Sequence, residues 1–502
     1  MTPLLAALPV LVVLFFMVAV GWSAARAGVL TAVLTLVLAV WSFGFGGAAD
    51  PFGPLAGSLG VLAEAAFISL TIVAIIGPAL GIHHLQKATG ATDRLRGALA
   101  RLHPDPRVAA LVIAWFFSLF LEGAAGFGTP VALAAPFLVA AGFSPVAALV
   151  AALVGHAVGV SFGAVGTPVL AQTAIVDATG LELSRATSWY HLLLGLVLVL
   201  VLVRVIGGSS TAERAPWGWG LFAGVAFLVP YGLIAQLVGP ELPTLGGALV
   251  GVAVFAAVAV RVRPRSVGAV ASAIERPGAV AIAAAPYLVL VALVLATRLV
   301  VPVRDLVEPV VVEWQVGDTF SGSVRPLFHP GLLLTVSFGL GAIVQRASRR
   351  EVVAAVRVAT GQLAGVVVAL LAMVTVARAM SQSGMTDELA ETAAGSGGLW
   401  PLFAPAVGAL GTFVTGSATA SNVLFTELQD STARAADVPV LPVLGAQGFG
   451  AAIGNVICPH NIVAAGATVG LKGQEGLVLR RTLPAAAVYV VLGGLLALLF
   501  SR

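Results

Sequence analysis

Glu122 stands in an apolar stretch directly ahead of Gly123-Ala-Ala-Gly-Phe-Gly-Thr-Pro130. An isolated carboxyl in such surroundings is costly as an anion and suited to carrying a proton, unless tip N–H groups or a cation hold it as a structural carboxylate. Two histidines, His156 and His460, lie in similarly apolar segments, where imidazole either titrates near neutral pH or serves as a hydrogen-bonded packing group. Around them run Gly163-Ala-Val-Gly-Thr-Pro168, Val414-Thr-Gly-Ser-Ala-Thr-Ala-Ser-Asn422 and Gly454-Asn-Val-Ile-Cys-Pro-His-Asn461. These segments are rich in glycine backbone, hydroxyls and amides, the groups that bind a small polar ligand. Glu64 and Arg378 add a second carboxyl and a guanidinium, and guanidinium binds carboxylate in a bidentate fashion. Alternatively, Glu64 is half-solvated and Arg378 pairs with Asp387 or Glu388. Gly and Ser in the same segments would also serve close helix packing alone.

The elements that position these groups follow from spacing. Gly123 and Pro168 are 45 residues apart, Gly416 and Pro459 are 43 apart, and each second element places Gly and Pro five apart. Gly, Pro, Ser, Thr and Asn interrupt apolar helices. Broken backbone at membrane depth is tolerated only where protein or a water-filled cavity covers it. Paired breaks in corresponding positions of two halves are a pointer to a transport site.

Composition agrees. The 502 residues are 59% hydrophobic and 10% charged, too few charges to cover a soluble protein of this size. Apolar runs predict spans at 3–20, 28–45, 59–81, 188–206, 217–238, 245–260, 279–300, 331–345, 358–379 and 483–500. Two irregular blocks, 108–176 and 399–470, hold the interruptions. The stretch 301–328 reads as an external loop. Cys458 is the only cysteine, which excludes a disulfide framework or cysteine metal cluster. No phosphate-binding loop, nucleophile elbow or dinucleotide fingerprint is present, so ATP-driven transport and cofactor enzymology are not indicated. The net charge of +4 does not signal nucleic acid, because the basic residues sit in short loops between spans.

Of the 26 Lys and Arg, 19 fall in alternate loops that share one side, which the positive-inside rule makes cytoplasmic and which puts both termini outside. The spans alternate only if each irregular block crosses an odd number of times, and the two blocks then cross in opposite directions. One re-entrant hairpin and one broken helix per block satisfy this. The hairpin tips fall at 123–128 and 416–422, and the gaps at 163–168 and 454–461. The expected fold is an all-α polytopic membrane protein with an inverted-topology repeat. The N-terminal helix takes 1–27, the first repeat 28–206, linking scaffold helices 207–330 and the second repeat 331–502.

Glu122-Gly-Ala-Ala-Gly-Phe-Gly-Thr-Pro130, Ala377-Arg-Ala-Met-Ser-Gln-Ser-Gly-Met385, the Gly416–Asn422 tip and the Pro459 segment ahead of Ala467-Thr-Val-Gly-Leu471 resemble the L-lactate permease family over nearly the whole chain. The resemblance implies a bacterial inner-membrane carrier that takes up lactate, and often glycolate, with protons. It also implies an elevator-like ion-transporter architecture. Two positions depart from the commoner family pattern: Ala418 stands where an Asp is usual, and Ile457-Cys-Pro-His-Asn461 replaces Ile-Ser-Pro-Gln-Ser. A small hydroxy-carboxylate asks for positive potential, which half-helix N-termini supply, and for hydroxyl partners in little room. Gly126, Gly128, Thr129, Thr167, Ser417, Thr419, Ser421, Asn422, His460, Asn461 and Arg378 are the expected substrate-binding residues. Glu122, His156 and Glu64 are the expected proton-coupling residues. No cofactor or metal is expected beyond the coupling ion, proton or alternatively sodium. The expected partners are the substrate and the lipid bilayer, with no nucleic acid and a homodimer left open. The rival readings are another small organic anion as substrate, an intramembrane enzyme built on Glu122, His156 and His460, or a channel.

Overall fold

The computed structural model describes residues 2–502 apart from 49, 101, 102, 104, 127, 128, 209–215, 263–276, 318, 472 and 473, and leaves the side chains of 18, 99, 100, 129, 277 and 460 undescribed. Among the described residues, 11 helices are long and apolar enough to cross a membrane, or 12 if the bent pair Ala285–Leu299 and Val301–Val307 counts as one span. Serine and aspartate caps start many of them. Ser23, Asp105, Ser144, Ser348 and Ser417 each accept a hydrogen bond from a backbone N–H of the following first turn. Proline occupies the first turn at Pro54, Pro145, Pro243, Pro330 and Pro459, where its missing N–H costs nothing.

Apolar clusters divide the helices. Ile72, Ile76 and Leu80 of Pro54–Ala88 pack against Leu370, Met373 and Val374 of Arg349–Gln382, with Val13 and Ala27 joining from the N-terminal helices. A larger cluster unites the segments from Val108 to Ala259 with those from Ala404 to Ala497. Leu11, Phe15, Trp41, Leu233 and Leu495 lie exposed on the outside, as expected where lipid is the solvent.

Both irregular blocks contain the expected interruptions, with altered boundaries. Pro106–Ala124, with a π-helical turn at Ile113–Phe117, is followed by Thr129–Ala140. Trp400–Thr415 turns at Gly416 (φ 75°) into Ala418–Ala435. The first gap is a left-handed run, Ala164, Val165 and Gly166 (φ 42°, 57° and 78°), with regular helix resuming after it. The second gap is narrower than 454–461. Helix Val440–Ile457 continues through Gly454 and Asn455, and only Cys458 (φ −65°, ψ 121°) leaves helical geometry before Pro459–Thr468. Proline excludes the residue before it from the α region, which places the break at 458.

The expected loop 301–328 is also corrected. After the short helix Val301–Val307, Val312–Val316 and Phe320–Val324 form an antiparallel hairpin that pairs Trp314 with Gly322. Phe320 seats against Gly60 and Phe52, and Trp314 against Phe67, so the hairpin lies on helix Pro54–Ala88. The fold is therefore helical with one small sheet.

Glycines set how closely the interrupted elements approach. A Cβ built on Gly155 would strike the Ala114 carbonyl oxygen, and one on Gly450 would strike that of Pro405. Each contact joins a broken span to the first arm of the hairpin in the same block. Gly155→Ala or Gly450→Ala should each destabilise the protein by roughly 1–3 kcal/mol, the usual cost of overpacking. Gly361→Ala, where a Cβ meets nothing within 4 Å, should be neutral or slightly stabilising. Thermal unfolding in detergent tests this, and equal midpoints for all three variants would contradict it.

Candidate functional site

Two tips and two breaks line one cavity. Glu122 and Gly126 come from the first tip, Val160, Gly163, Ala164 and Pro168 from the first broken span, Gly416, Ser417, Ala418 and Thr419 from the second tip, and Asn455 from the second broken span. The cavity is tight as it stands, with about 30 Å³ of free space, room for on the order of one or two water molecules.

The left-handed turn explains how backbone reaches this cavity. Positive φ at Ala164 and at the β-branched Val165 is strained, and surrounding contacts must hold it. Thr167 Oγ1 donates to the Ala164 carbonyl at 2.5 Å. Gly166 lies against the Pro240 carbonyl, and Thr244 Oγ1 donates to Gly159 O at 2.7 Å just upstream. Across the halves, Asn422 Nδ2 donates to Pro168 O at 2.9 Å. The turn leaves the N-terminal end of the resumed helix facing the cavity, and Ala418–Ala435 presents a second N-terminus there. Helix N-termini favour negative charge, so these two first turns are the cavity's candidate groups for an anion.

Glu122 is 4% exposed, with Oε1 seated over Gly163 where any Cβ would collide. Its Oε2 lies 4.0 Å from His156 Nε2. His156 Nδ1 lies 2.8 Å from the Ala152 carbonyl, which only accepts, so Nδ1 carries a proton. Nε2 faces Asn455 Oδ1 at 3.3 Å, and Asn455 Oδ1 accepts from Asn461 Nδ2 at 2.8 Å. A neutral ring requires Asn455 to turn its Nδ2 toward it. Glu122, His156, Asn455 and Asn461 thus form a buried polar chain from the first tip to the second break.

The structure brings Glu122, Gly126, Ser417 and Thr419 together around the cavity, with His156 behind Glu122. Thr167 and Ser421 are fully buried and spend their hydroxyl protons on Ala164 O and Gly408 O. Asn422 is bound to Pro168 O and approached by Gln447 Nε2 at 3.4 Å. Asn461 reaches the cavity through Asn455 and is not itself part of the lining. Glu64 and Arg378 meet each other instead: Arg378 Nε donates to Glu64 Oε2 at 2.9 Å, with Gln382 Nε2 and the hairpin amide of Ser321 each at 3.3 Å from that carboxylate. Asp387 and Glu388 are therefore not the partners of Arg378. Gly128 and the side chains of Thr129 and His460 lie outside the described residues. Asn455 was not among the expected ligands, although it stands in the recognised Gly454–Asn461 segment. Its helical position faces the cavity because the helix continues to Ile457.

A sequence profile of the L-lactate permease family matches residues 2–502. Among relatives, a putative L-lactate permease of Haemophilus influenzae is 28% identical over 466 residues, covering 85% of this chain and 86% of its own. The L-lactate permease of Streptococcus iniae is 31% identical, covering 71% and 77%. The glycolate permease GlcA of Escherichia coli is 26% identical, covering 97% and 94%. Two solved transporters share the fold at low identity. The Alcanivorax borkumensis YdaH transporter has a TM-score of 0.53 at 16% identity, covering 94% of this chain and 98% of its own. Neisseria gonorrhoeae MtrF, from a class of antimetabolite efflux pumps, has a TM-score of 0.53 at 14% identity, covering 94% and 95%. With its whole length matched by the family profile and its interrupted helices converging on one small polar cavity, the chain belongs to the L-lactate permease family.

Proposed function

We propose that this protein takes up L-lactate and related small 2-hydroxymonocarboxylates, such as glycolate, across the bacterial inner membrane by proton symport. Family membership makes it a multi-pass membrane transporter and not an enzyme. The observation that carries the proton is the lining of the cavity. Glu122 and the first turns of two helices line the same small space. The N-termini favour the substrate carboxylate, and two carboxylates in so small and poorly solvated a space repel strongly unless one proton lies between them. Substrate and proton are thereby loaded together, and His156 at 4.0 Å offers the next position for that proton. Ala418 lines the same wall without a second carboxylate, so Glu122 acts alone there.

The two blocks read as an inverted-topology repeat, each with a re-entrant hairpin and a broken helix. Supporting this, a glycine of each broken span abuts a carbonyl of the hairpin arm in its own block, at Gly155 and Gly450. Transport would move the body that holds tips and breaks against a static body. Gly123, Gly159 and Gly166 all close on residues 240–245, which supports reading helices Trp217–Leu237 and Pro243–Arg261 as part of the moving body instead of the static scaffold. The static body is then built on Pro54–Ala88, Pro330–Val344 and Arg349–Gln382. A buried ion pair, Arg298 Nη2 to Glu241 Oε1 at 2.5 Å, joins the 239–242 segment to helix Ala285–Leu299 between the two bodies. Both termini and the Glu64–Arg378 pair would lie toward the outside.

Labelled lactate and glycolate uptake into proteoliposomes, under imposed proton and then sodium gradients, tests the function. Accumulation driven by sodium alone, or absent under both gradients, would overturn it. Glu122→Gln should abolish accumulation driven by a pH gradient and retain lactate exchange, because a permanently neutral side chain cycles loaded without importing protons. Normal gradient-driven accumulation in this variant would remove Glu122 from coupling.

Asn455→Ala should weaken lactate binding by about 1–3 kcal/mol, the cost of a buried hydrogen-bond partner left unmade. The loss should be smaller for propionate, which lacks the hydroxyl, and Thr360→Ala on an exposed helix face should change neither. Equal losses for the two ligands in a binding titration would assign Asn455 to the carboxylate or to the fold.

A further inference from the structure

The second tip separates two spaces of very different size. On one side is the small cavity, touching Gly416, Ser417, Ala418 and Thr419. On the other is a cleft of about 570 Å³, lined by Met17, Trp22 and Ser23 on one wall and by Phe413, Thr415 and Pro459 on the other. Thr415 faces the cleft and Ser417 faces the cavity, so the wall between them is the turn at Gly416.

The two tips differ in how they are held. The first is pinned. Glu122 is seated on Gly163, Gly123 lies directly against the backbone of Leu245, and Gly126 lies against Ala164. In the second, Ala418 packs against Val160, Ala451 and Ala452, and the side-chain hydrogen bonds of residues 415–417 stay within the hairpin. Thr415 Oγ1 donates to Gly411 O at 2.8 Å and to Ser417 O at 3.0 Å, and accepts from Ser417 N at 3.3 Å. Ser417 Oγ accepts from Ala420 N at 3.3 Å. The first side-chain bond from this hairpin to the other half comes at Asn422, on Pro168 O. Residues 415–417 can therefore swing about Gly416, whose φ of 75° only glycine adopts readily, without breaking a side-chain bond to a neighbouring element.

We propose that Thr415–Ser417 is the gate of the substrate cavity and that the cleft between Met17–Ser23 and Phe413–Pro459 is the aqueous route by which the substrate reaches it. This rests on the carrier reading above. The route runs beside Trp22, which stacks on Phe16 with ring centroids 4.4 Å apart and gives the cleft a fixed aromatic wall. The first tip stays in place as the back of the site, and the second alone opens.

Phe413→Cys and Met17→Cys, on opposite walls, test the route. An anionic, membrane-impermeant methanethiosulfonate is added to both faces of reconstituted vesicles, and lactate exchange is measured before and after. The native Cys458 is buried, so the unmodified protein serves as the reagent control. Both variants should react, and lactate should slow the reaction. Exchange should then fall on the order of tenfold or more, because a bulky charged adduct raises the barrier in the passage. Leu233→Cys, on a lipid-facing surface, should not react. Lack of reaction at 413 and 17 would mean that the cleft is filled by lipid and would overturn the proposal, as would reaction at both without change in exchange. Wild-type vesicles that fail to exchange lactate at all would overturn the carrier reading instead. If Phe413→Cys does not fold, Met17→Cys and Ser23→Cys carry the same test from the opposite wall.

Discussion

Backbone that leaves the helix inside a membrane has no water to satisfy it, and the break at Ala164–Gly166 is the point on which the rest of this structure depends. Its left-handed turn persists because separate elements close on it from every side. The Pro240 carbonyl backs Gly166, Glu122 covers Gly163, and Asn422 holds the Pro168 carbonyl from the other half of the chain. Thr244 braces the preceding turn through Gly159 O. Loss of any one would leave polar backbone buried without a partner. The same closure brings Gly163, Ala164 and Pro168 to the wall of the small cavity, so the feature that strains the fold also shapes the candidate site.

The placement of charge follows from that closure. Three described carboxylates are buried among the helices, Glu64, Glu122 and Glu241, and two of them are paired with a guanidinium. Arg298 holds Glu241 and Arg378 holds Glu64, both away from the cavity lining. Glu122 has no cation of that kind, only an imidazole at 4.0 Å and the cavity itself. That lack of a guanidinium partner is what sets Glu122 apart from Glu64 and Glu241 and makes it the residue proposed for coupling.

The amides behind the second tip have a different task. Gln429 Nε2 donates to Gln447 Oε1 at 3.0 Å, and Gln447 Nε2 approaches Ser421 Oγ and Asn422 Oδ1 at 3.3 and 3.4 Å. Trp400 closes the row by donating to Gln429 Oε1 at 2.9 Å. This ladder fastens the body of the second hairpin to its broken span and stops short of residues 415–417. Beyond Asn422 the tip is held by the packing of Ala418 on Val160, Ala451 and Ala452 and by hydrogen bonds within its own turn.

The sequence by itself determined the membrane class and the neighbourhoods where helices break, and it singled out Glu122 as a carboxyl in an apolar stretch. Each of these depends on local residue type: apolar runs, Gly and Pro in their midst, and one acid among them. It also placed Gly126, Ser417 and Thr419 at the site, because residues at the tips of breaks have backbone and hydroxyls to offer. Only the tertiary structure decided which partner each polar group takes. Asn422 and Asn455 are chemically alike and lie near equivalent breaks. One is consumed by a carbonyl 254 residues away, while the other turns to the cavity. Arg378 is near Asp387 in sequence and bonds Glu64 instead, because helix Pro54–Ala88 runs beside it. The β-hairpin at 312–324 escaped notice for a related reason, since its short strands are stabilised by packing on Gly60 and Phe67 more than by their own pattern. Hydrogen-bond partners across hundreds of residues are set by how helices pack, and no local pattern in the chain encodes them.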